Sequence, residues 1–422
     1  MSLQVQQPAH AARDRVPAAT RRPTGDEAAV QQGTRMPRVC LYQRYLPPDP
    51  SGAGKQALTL AHLLRRRGFE VVLLGDLPPG LPAPDRIEDV PVRWIEALPD
   101  RGGYRNLLAY WARLWAQLVR LRTRFDVLHV HSAAFQQAAA VPMARLLGKP
   151  ALVRSSIAGE FGALGSSRSG RLQLRMLGLV SQFVVLSRRI AEEYLQAGLP
   201  PERLHLVQNG VDDSRYHPVS PTEKQALRRE LGLPAEGHLL IYHGVFIERK
   251  SLHWLVDTVG PSLERYGLTL VLVGGPAREE PKTGYAGRLM EQIAQHPCRD
   301  RIVVRGFAPD VHRYLQAADL YVLPSTSEGM SNALLEAMAA GLVPIVSRTS
   351  GSEDVVQDGV SGFLFEPRDA EALLERLDRC CGPGGATVLA DCSAAALQRI
   401  RAEFSIQATG RRYGDLYRRM TA

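Results

Sequence analysis

Cysteine is scarce. The 422 residues hold five (Cys40, Cys298, Cys380, Cys381, Cys392), an odd number without metal-ligand spacing. They read as cytosolic thiols, not as a disulfide frame. Long apolar runs are missing as well, none approaching the roughly 18 residues that a membrane-spanning helix needs. Residues 1–36 lack the apolar stretch of a secretory signal. The expected location is therefore the cytoplasm, at most peripheral at the inner face of a membrane. No Asp-x-Asp occurs in the chain and no His/Cys cluster has ligand spacing, so neither a metal nor another cofactor is expected. Aromatic residues make up 6% and do not interleave with the Arg clusters, which disfavours a single-stranded nucleic-acid binder.

What is present is globular. Hydrophobic residues make up 45% and charged residues 23%, which excludes a wholly disordered or fibrous chain. The length calls for two or three domains. Fifty-two Lys+Arg against 43 Asp+Glu give +9, with Arg much commoner than Lys. Such a balance permits a nucleic acid, an anionic membrane or a phosphorylated ligand without choosing among them.

Residues 1–36 scatter Pro, Gln, Arg and Thr without periodicity, as a disordered leader would. Order begins at Arg38–Tyr42, a short apolar strand. A Gly/Pro turn (Pro47 to Gly54) and a helical pattern closing at Gly68 follow, then the strand Val71–Leu74. Apolar runs without alternation indicate a parallel sheet covered on both faces. The rhythm continues through 127–131 and 183–186, then restarts after Asn209-Gly210 with strands at 239–242, 268–273, 302–304, 320–323 and 344–346. The expected organisation is a leader (1–36), one α/β half (37–215), a second (216–395), and a final helix (396–422) crossing back to the first half.

The most informative stretch runs from Pro324 to Gly341. A buried strand ends at Pro324, a loop of small residues follows, and a helix starts near Ser331 or Asn332. A helix N-terminus at the carboxyl edge of a parallel sheet suits a phosphate or a sugar oxygen. Glu328 falls in the loop and Glu336 inside the helix, so two carboxylates can serve polyols some 5–10 Å apart at about 1.5 Å rise per residue. Glu336 sits among Leu334, Leu335, Ala337 and Met338, where an unpaired charge is costly.

The Glu-x7-Glu spacing, within Ser-Glu-Gly-Met-Ser and Leu-Glu-Ala-Met-Ala-Ala-Gly, resembles the retaining, nucleotide-sugar-dependent glycosyltransferases of the GT4 type. Further motifs follow in that family's order. They are Asp126–His131, Asn209-Gly210-Val211-Asp212 with Tyr216 and Pro218, Val273–Pro276, Ala318–Ser325, Gly351–Asp354 and Asp358–Phe363. The resemblance spans about Arg38 to Phe404. It implies an α/β GT-B fold, two facing Rossmann-like domains with a deep cleft between them. It also implies that Glu336 holds the ribose of a nucleoside-diphosphate sugar, while Glu328 and the Gly329, Met330 and Ser331 amides, beside Asn332, hold the sugar.

Four other segments add to this. His243-Gly244-Val245-Phe246-Ile247-Glu248-Arg249-Lys250 puts two cations after a strand, where they would stabilise a departing diphosphate. The family has an Arg directly after Gly244; here Val245 stands there, and Arg249 is expected to substitute beside Lys250. Ser51-Gly52-Ala53-Gly54-Lys55 lacks the hydroxyl residue of a nucleotide-hydrolase loop, since Gln56 follows. It matches the family's glycine-rich loop near the donor diphosphate or the acceptor. His129-Val130-His131 ends a strand, and the two imidazoles are expected on opposite faces; the family places His131 near the transferred sugar. On Tyr104–Arg122, Leu107, Leu108, Trp111, Leu114, Trp115, Leu118 and Leu121 fall on one helical face beside several Arg. That reads as a sheet-covering helix, or else as a basic amphipathic surface approaching an anionic membrane.

The expectation is a metal-independent hexosyltransferase acting on an unidentified hydroxyl acceptor. That acceptor is a glycan, a lipid-linked sugar or a small metabolite, and Arg154, Arg168, Arg171 and Arg175 would suit a phosphorylated one. The rivals are a nucleotide-sugar epimerase or phosphorylase on the same architecture, and a non-catalytic basic protein binding polyanions or membranes.

Overall fold

A computed structural model of the chain describes residues 35–47, 52–77, 82–97, 103–155, 167–276 and 284–422. The expected leader, up to residue 34, and Ser51 of the glycine-rich segment lie outside the described residues. Pro37–Ala422 form one compact unit.

The first half carries strands β1 (Arg38–Tyr42), β2 (Glu70–Leu77), β3 (Arg86–Ile87), β4 (Val90–Glu96), β5 (Val127–Val130), β6 (Ala151–Ser155), β7 (Gln182–Val185) and β8 (Leu204–Leu206). Its helices are α1 (Gly52–Arg66), α2 (Gly103–Leu121), α3 (Phe135–Ala138), α4 (Ala140–Leu146), α5 (Arg168–Leu177) and α6 (Arg188–Gln196). Among the described residues the strands make one sheet in the order β3-β4-β2-β1-β5-β6-β7-β8, parallel except for the short β3 edge. Val39 to Tyr42 on β1 are wholly buried, as the central strand of a sheet covered on both faces must be.

The second half begins with α7 (Pro221–Glu230), started by a capping box in which Ser220 and Glu223 satisfy each other's backbone N–H. It continues with β9 (Leu239–Phe246), α8 (Leu252–Arg265), β10 (Thr269–Pro276), α9 (Tyr285–Gln295), β11 (Ile302–Arg305), α10 (Val311–Ala317) and β12 (Leu320–Leu323). Next come α11 (Asn332–Ala339), β13 (Val343–Ser347), α12 (Ser350–Val355), β14 (Phe363–Phe365), α13 (Ala370–Cys381), α14 (Gly385–Glu403) and α15 (Ile406–Thr421). These strands form a second parallel sheet, β11-β10-β9-β12-β13-β14. Both sheets change direction around their first strand, so crevices open at the carboxyl ends of β1/β5 and β9/β12.

The single final helix expected over 396–422 is two helices. α14 runs through to Glu403 and packs on α11 and α13, whereas α15 returns to pack on α1 and β5. Ser405 breaks them apart, its side chain accepting the Ala408 N–H at 3.3 Å. At that break Val211 and Ser405 form a parallel bridge, with Val211 N–H donating to Phe404 and Ile406 N–H donating to Val211, each at 2.9 Å. Gly210 is needed here: a Cβ would come within 2.7 Å of Ile406 Cα.

Helix α2 covers the sheet. Leu114, Leu118 and Leu121 are buried, and only its start leaves Tyr104 and Leu108 in solvent. Among the described residues no helix is long and apolar enough to cross a membrane.

Candidate active site

The loop from Pro324 to Ser331 follows fully buried β12 and ends where Ser331 caps α11, accepting the Leu334 N–H at 3.3 Å. The first amides of α11 lack partners within the helix and stand at its positive dipole end. The loop rests on α12. Ser350 Oγ donates to the Glu328 carbonyl at 3.0 Å, and a Cβ on Gly351 would collide with the Gly329 carbonyl. The Gly351-Ser352-Glu353-Asp354 motif is thus the floor beneath the Glu328–Ser331 loop.

Strand β9 delivers the cations. It passes through Gly244, whose φ of +143° suits glycine, into a single 3-10 turn, Glu248–Lys250. Lys250 Nζ is paired with Glu328 Oε1, and Arg249 Nη1 reaches the same oxygen at 2.9 Å. Ser325 Oγ donates to it at 2.8 Å. Burial pushes the Glu328 carboxyl up, but Lys250 and Arg249 outweigh it and hold the group below its ordinary range. Burial also pulls the Lys250 ammonium down against the opposing pull of Glu328. Val245 lies inside β9, and Arg249 is the guanidinium that meets the Glu328 carboxylate beside Lys250.

Glu336 stands about one turn into α11, apart from that cluster. Its Oε2 is 3.4 Å from His243 Nε2, and the Tyr216 hydroxyl hydrogen-bonds it. Burial pushes Glu336 up to about 7, opposed by Lys55, Tyr216 and Arg215, and burial holds His243 down to about 4. At neutral pH the imidazole is therefore uncharged and the carboxyl partly protonated. The arrangement is a half-buried acceptor ready for hydroxyl donors.

From the first half, Gly52 faces the start of α11, its Cβ position 3.8 Å from Asn332 Nδ2. Gly52, Ala53 and Gly54 belong to the first turn of α1 and not to a loop before it. Gly54 is buried, and a Cβ there would strike the Tyr45 carbonyl, so its small size serves packing rather than ligand approach. Met330 and Asn332 meet the first half directly. Asn209 N–H points at Met330 Sδ at 3.3 Å, and Asn209 Nδ2 donates to Asn332 Oδ1 at 2.7 Å.

His131 does not join Lys250 and Glu328. It is 1% exposed and stacks on His129, ring centroids 4.1 Å apart. The expectation of opposite faces fails because strand residues two apart share a face. His129 is held by the Tyr417 hydroxyl at 2.6 Å, and burial keeps both imidazoles well below their ordinary range, hence neutral. The four candidate acceptor arginines also separate. Arg168, Arg171 and Arg175 are exposed on α5, whereas Arg154 is buried on β6.

Several residues in this region had no role assigned from sequence. Asn209 and Tyr216 lie in the quoted Asn-Gly-Val-Asp…Tyr motif, which was the available signal. His243 lies within β9, which runs beyond the expected strand at 239–242 to Phe246. Lys55 carries no signal beyond its place after the glycines.

Residues 237–382 match the family described as glycosyl transferases group 1, and residues 50–215 match glycosyltransferase family 4. A D-inositol 3-phosphate glycosyltransferase of Xylanimonas cellulosilytica is 28% identical over 90% of this chain and 94% of its own length. Anabaena HepE, solved with UDP and glucose, superposes with a TM-score of 0.75 at 19% identity, covering 90% of this chain and 99% of its own. The sucrose-phosphate synthase of Thermosynechococcus elongatus gives 0.74 at 20% identity, covering 91% and 99%. None of these relatives is an epimerase or a non-catalytic polyanion binder. Two facing parallel-sheet domains and both family matches lead to one assignment: the chain belongs to the GT4-type glycosyltransferases and has the GT-B fold.

Proposed function

We propose that this enzyme moves a hexose from a nucleoside-diphosphate sugar to an acceptor hydroxyl, with retained anomeric configuration and without a divalent metal. The observation that carries the proposal is the convergence of Lys250, Arg249 and Glu328 beside the N-terminus of α11, with Glu336 further along the same helix. HepE has been solved with UDP and glucose and with UDP-glucose, which supports a nucleotide-sugar donor. The Xylanimonas relative is named for D-inositol 3-phosphate, which supports a polyol acceptor.

In this reading Glu336 and Tyr216 take the donor ribose, and Glu328 with the Gly329–Ser331 amides takes the sugar hydroxyls. The bond from the anomeric carbon to the phosphate oxygen breaks as the acceptor oxygen bonds to that carbon from the same face. The acceptor proton passes to the departing phosphate. Lys250 and Arg249 meet the charge that grows there, doing the work a metal does in other sugar transferases. No side chain is needed as a covalent nucleophile.

The test is transfer by purified protein with the donor chosen by thermal shift against UDP-, GDP- and ADP-sugars. Product NMR should show the donor's anomeric configuration. Lys250→Ala and Glu336→Ala should each lower turnover by at least about tenfold, or 1.4 kcal/mol of barrier. Near-normal transfer by Lys250→Ala refutes the assignment.

A further inference from the structure

Arg154 is 3% exposed on β6, and no carboxylate among the described residues pairs with it. Its Nη2 donates to Asn209 Oδ1 at 2.6 Å, it hydrogen-bonds the Tyr413 hydroxyl with Tyr417 nearby, and its Nη1 has no partner among the described residues. A buried guanidinium is ordinarily matched by an acid, because desolvating it alone is costly. Hydrogen bonds to the Asn209 amide and the Tyr413 hydroxyl bring it no negative charge and leave donor capacity unused.

His131 is also short of partners: it is buried, and among the described residues neither ring nitrogen has one. Arg154 and His131 line one cavity, together with Gln56, Asn209, Thr409 and Tyr413. The space there is about one water molecule wide. It is rich in hydrogen-bond donors and lacks any ionised acceptor. A small enclosure of that kind is complementary to an oxygen of an anion.

Its position narrows the source. The cavity belongs to the acceptor half, and Asn209 links it by one hydrogen bond to Asn332 at the start of α11. Lys250 and Arg249 already serve the donor diphosphate in the reading above. We propose that the Arg154 cavity receives an oxygen of a phosphate or carboxylate carried by the acceptor substrate. This deepens the transferase reading and rests on it: Arg154 becomes a specificity-determining residue that selects anionic acceptors. The cavity takes one oxygen of the anion.

Two measurements test this. With the donor site saturated by nucleoside diphosphate, inorganic phosphate should raise the melting temperature of the wild-type protein further and leave that of Arg154→Met unmoved. Without ligand, Arg154→Met should melt higher than wild type, because removing an uncompensated buried charge relieves the fold; a residue kept only for structure gives the opposite sign. In transfer assays, acceptors are compared in matched pairs, a sugar against its phosphate and a sugar against its uronate. Wild type should favour one anionic member by at least about tenfold in kcat/KM, mainly through KM, the scale of one charge-assisted hydrogen bond. The preference should collapse towards unity in Arg154→Met and return in part in Arg154→Lys. Which pair shows it separates phosphate from carboxylate. Equal use of neutral and anionic acceptors by wild type, or a preference intact in Arg154→Met, overturns the proposal. If Arg154→Met fails to fold, the wild-type preference and the phosphate shift decide it. Failure of every nucleotide sugar to stabilise the wild type counts instead against the transferase reading.

Discussion

Glu336 Oε2 and His243 Nε2 stand 3.4 Å apart, yet they do not form an ordinary ion pair. Burial holds the imidazole down to about 4 and pushes the carboxyl up to about 7, so the charged forms of the two scarcely coexist.

This sets a pH dependence of stability. Glu336 keeps its proton longer in the folded chain than the ordinary value of 4.5 allows, so its contribution is intact below 4.5 and is lost as pH rises towards about 7. His243 acts in the opposite sense, stability falling as pH drops from 6.5 towards about 4. The difference between wild type and Glu336→Gln isolates the first effect. In urea titrations the variant should gain relative to wild type between pH 5 and 7.5, by on the order of 1–3 kcal/mol. A difference that is flat with pH would show that Glu336 is not perturbed.

Donor binding should show the same group. Ribose hydroxyls prefer the ionised carboxylate, so nucleoside diphosphate should bind more tightly as pH rises from 6 to 8, with protons released. Calorimetry in two buffers of different ionisation enthalpy reads that release directly. Glu336→Gln should remove the part of it seen above pH 7, leaving the nucleotide's own phosphate ionisation.

Gly351→Ala should act at a distance from the substrate. The new methyl meets the Gly329 carbonyl, which is backbone and cannot swing aside, so the Glu328–Ser331 loop must shift. The expected outcome is a donor KM raised by at least about tenfold, with a folded protein by circular dichroism. Unchanged donor kinetics would mean that the floor under the loop is slack.

Exhaustive treatment with EDTA should leave transfer within about twofold of the untreated rate if, as proposed, Lys250 and Arg249 meet the leaving phosphate. Loss of turnover restored by Mg2+ or Mn2+ would overturn metal independence.

Much of this architecture was legible because parallel strands buried on both faces read as uninterrupted apolar runs, as at Leu239–Tyr242 and Leu320–Leu323. Strand β6 was missed because Arg154 interrupts Ala151–Ser155, and a charge inside a short run mimics a loop. Strand β4 was missed because its seven residues, Val90–Glu96, include Pro91 and Arg93. The Glu328/Glu336 spacing carried the site, since it puts one carboxylate in the loop and the other about one turn into the helix that the loop starts. The partners of Glu336 could not be read that way: His243 and Tyr216 come from 93 and 120 residues upstream, and only the fold brings them together. The His129/His131 error was one of geometry, since period-two alternation puts such pairs on one face.

The return of α15 to α1 and β5 makes the first half discontinuous in sequence: its last layer is encoded after the whole of the second half. The chain therefore passes between halves twice, at adjacent points tied by the Val211–Ser405 bridge. Exchanging donor halves with a relative thus requires two splice points, one near Gly210 and one at Phe404–Ser405. A single junction would strand Leu63, Phe69 and His129 without the helix that shelters them.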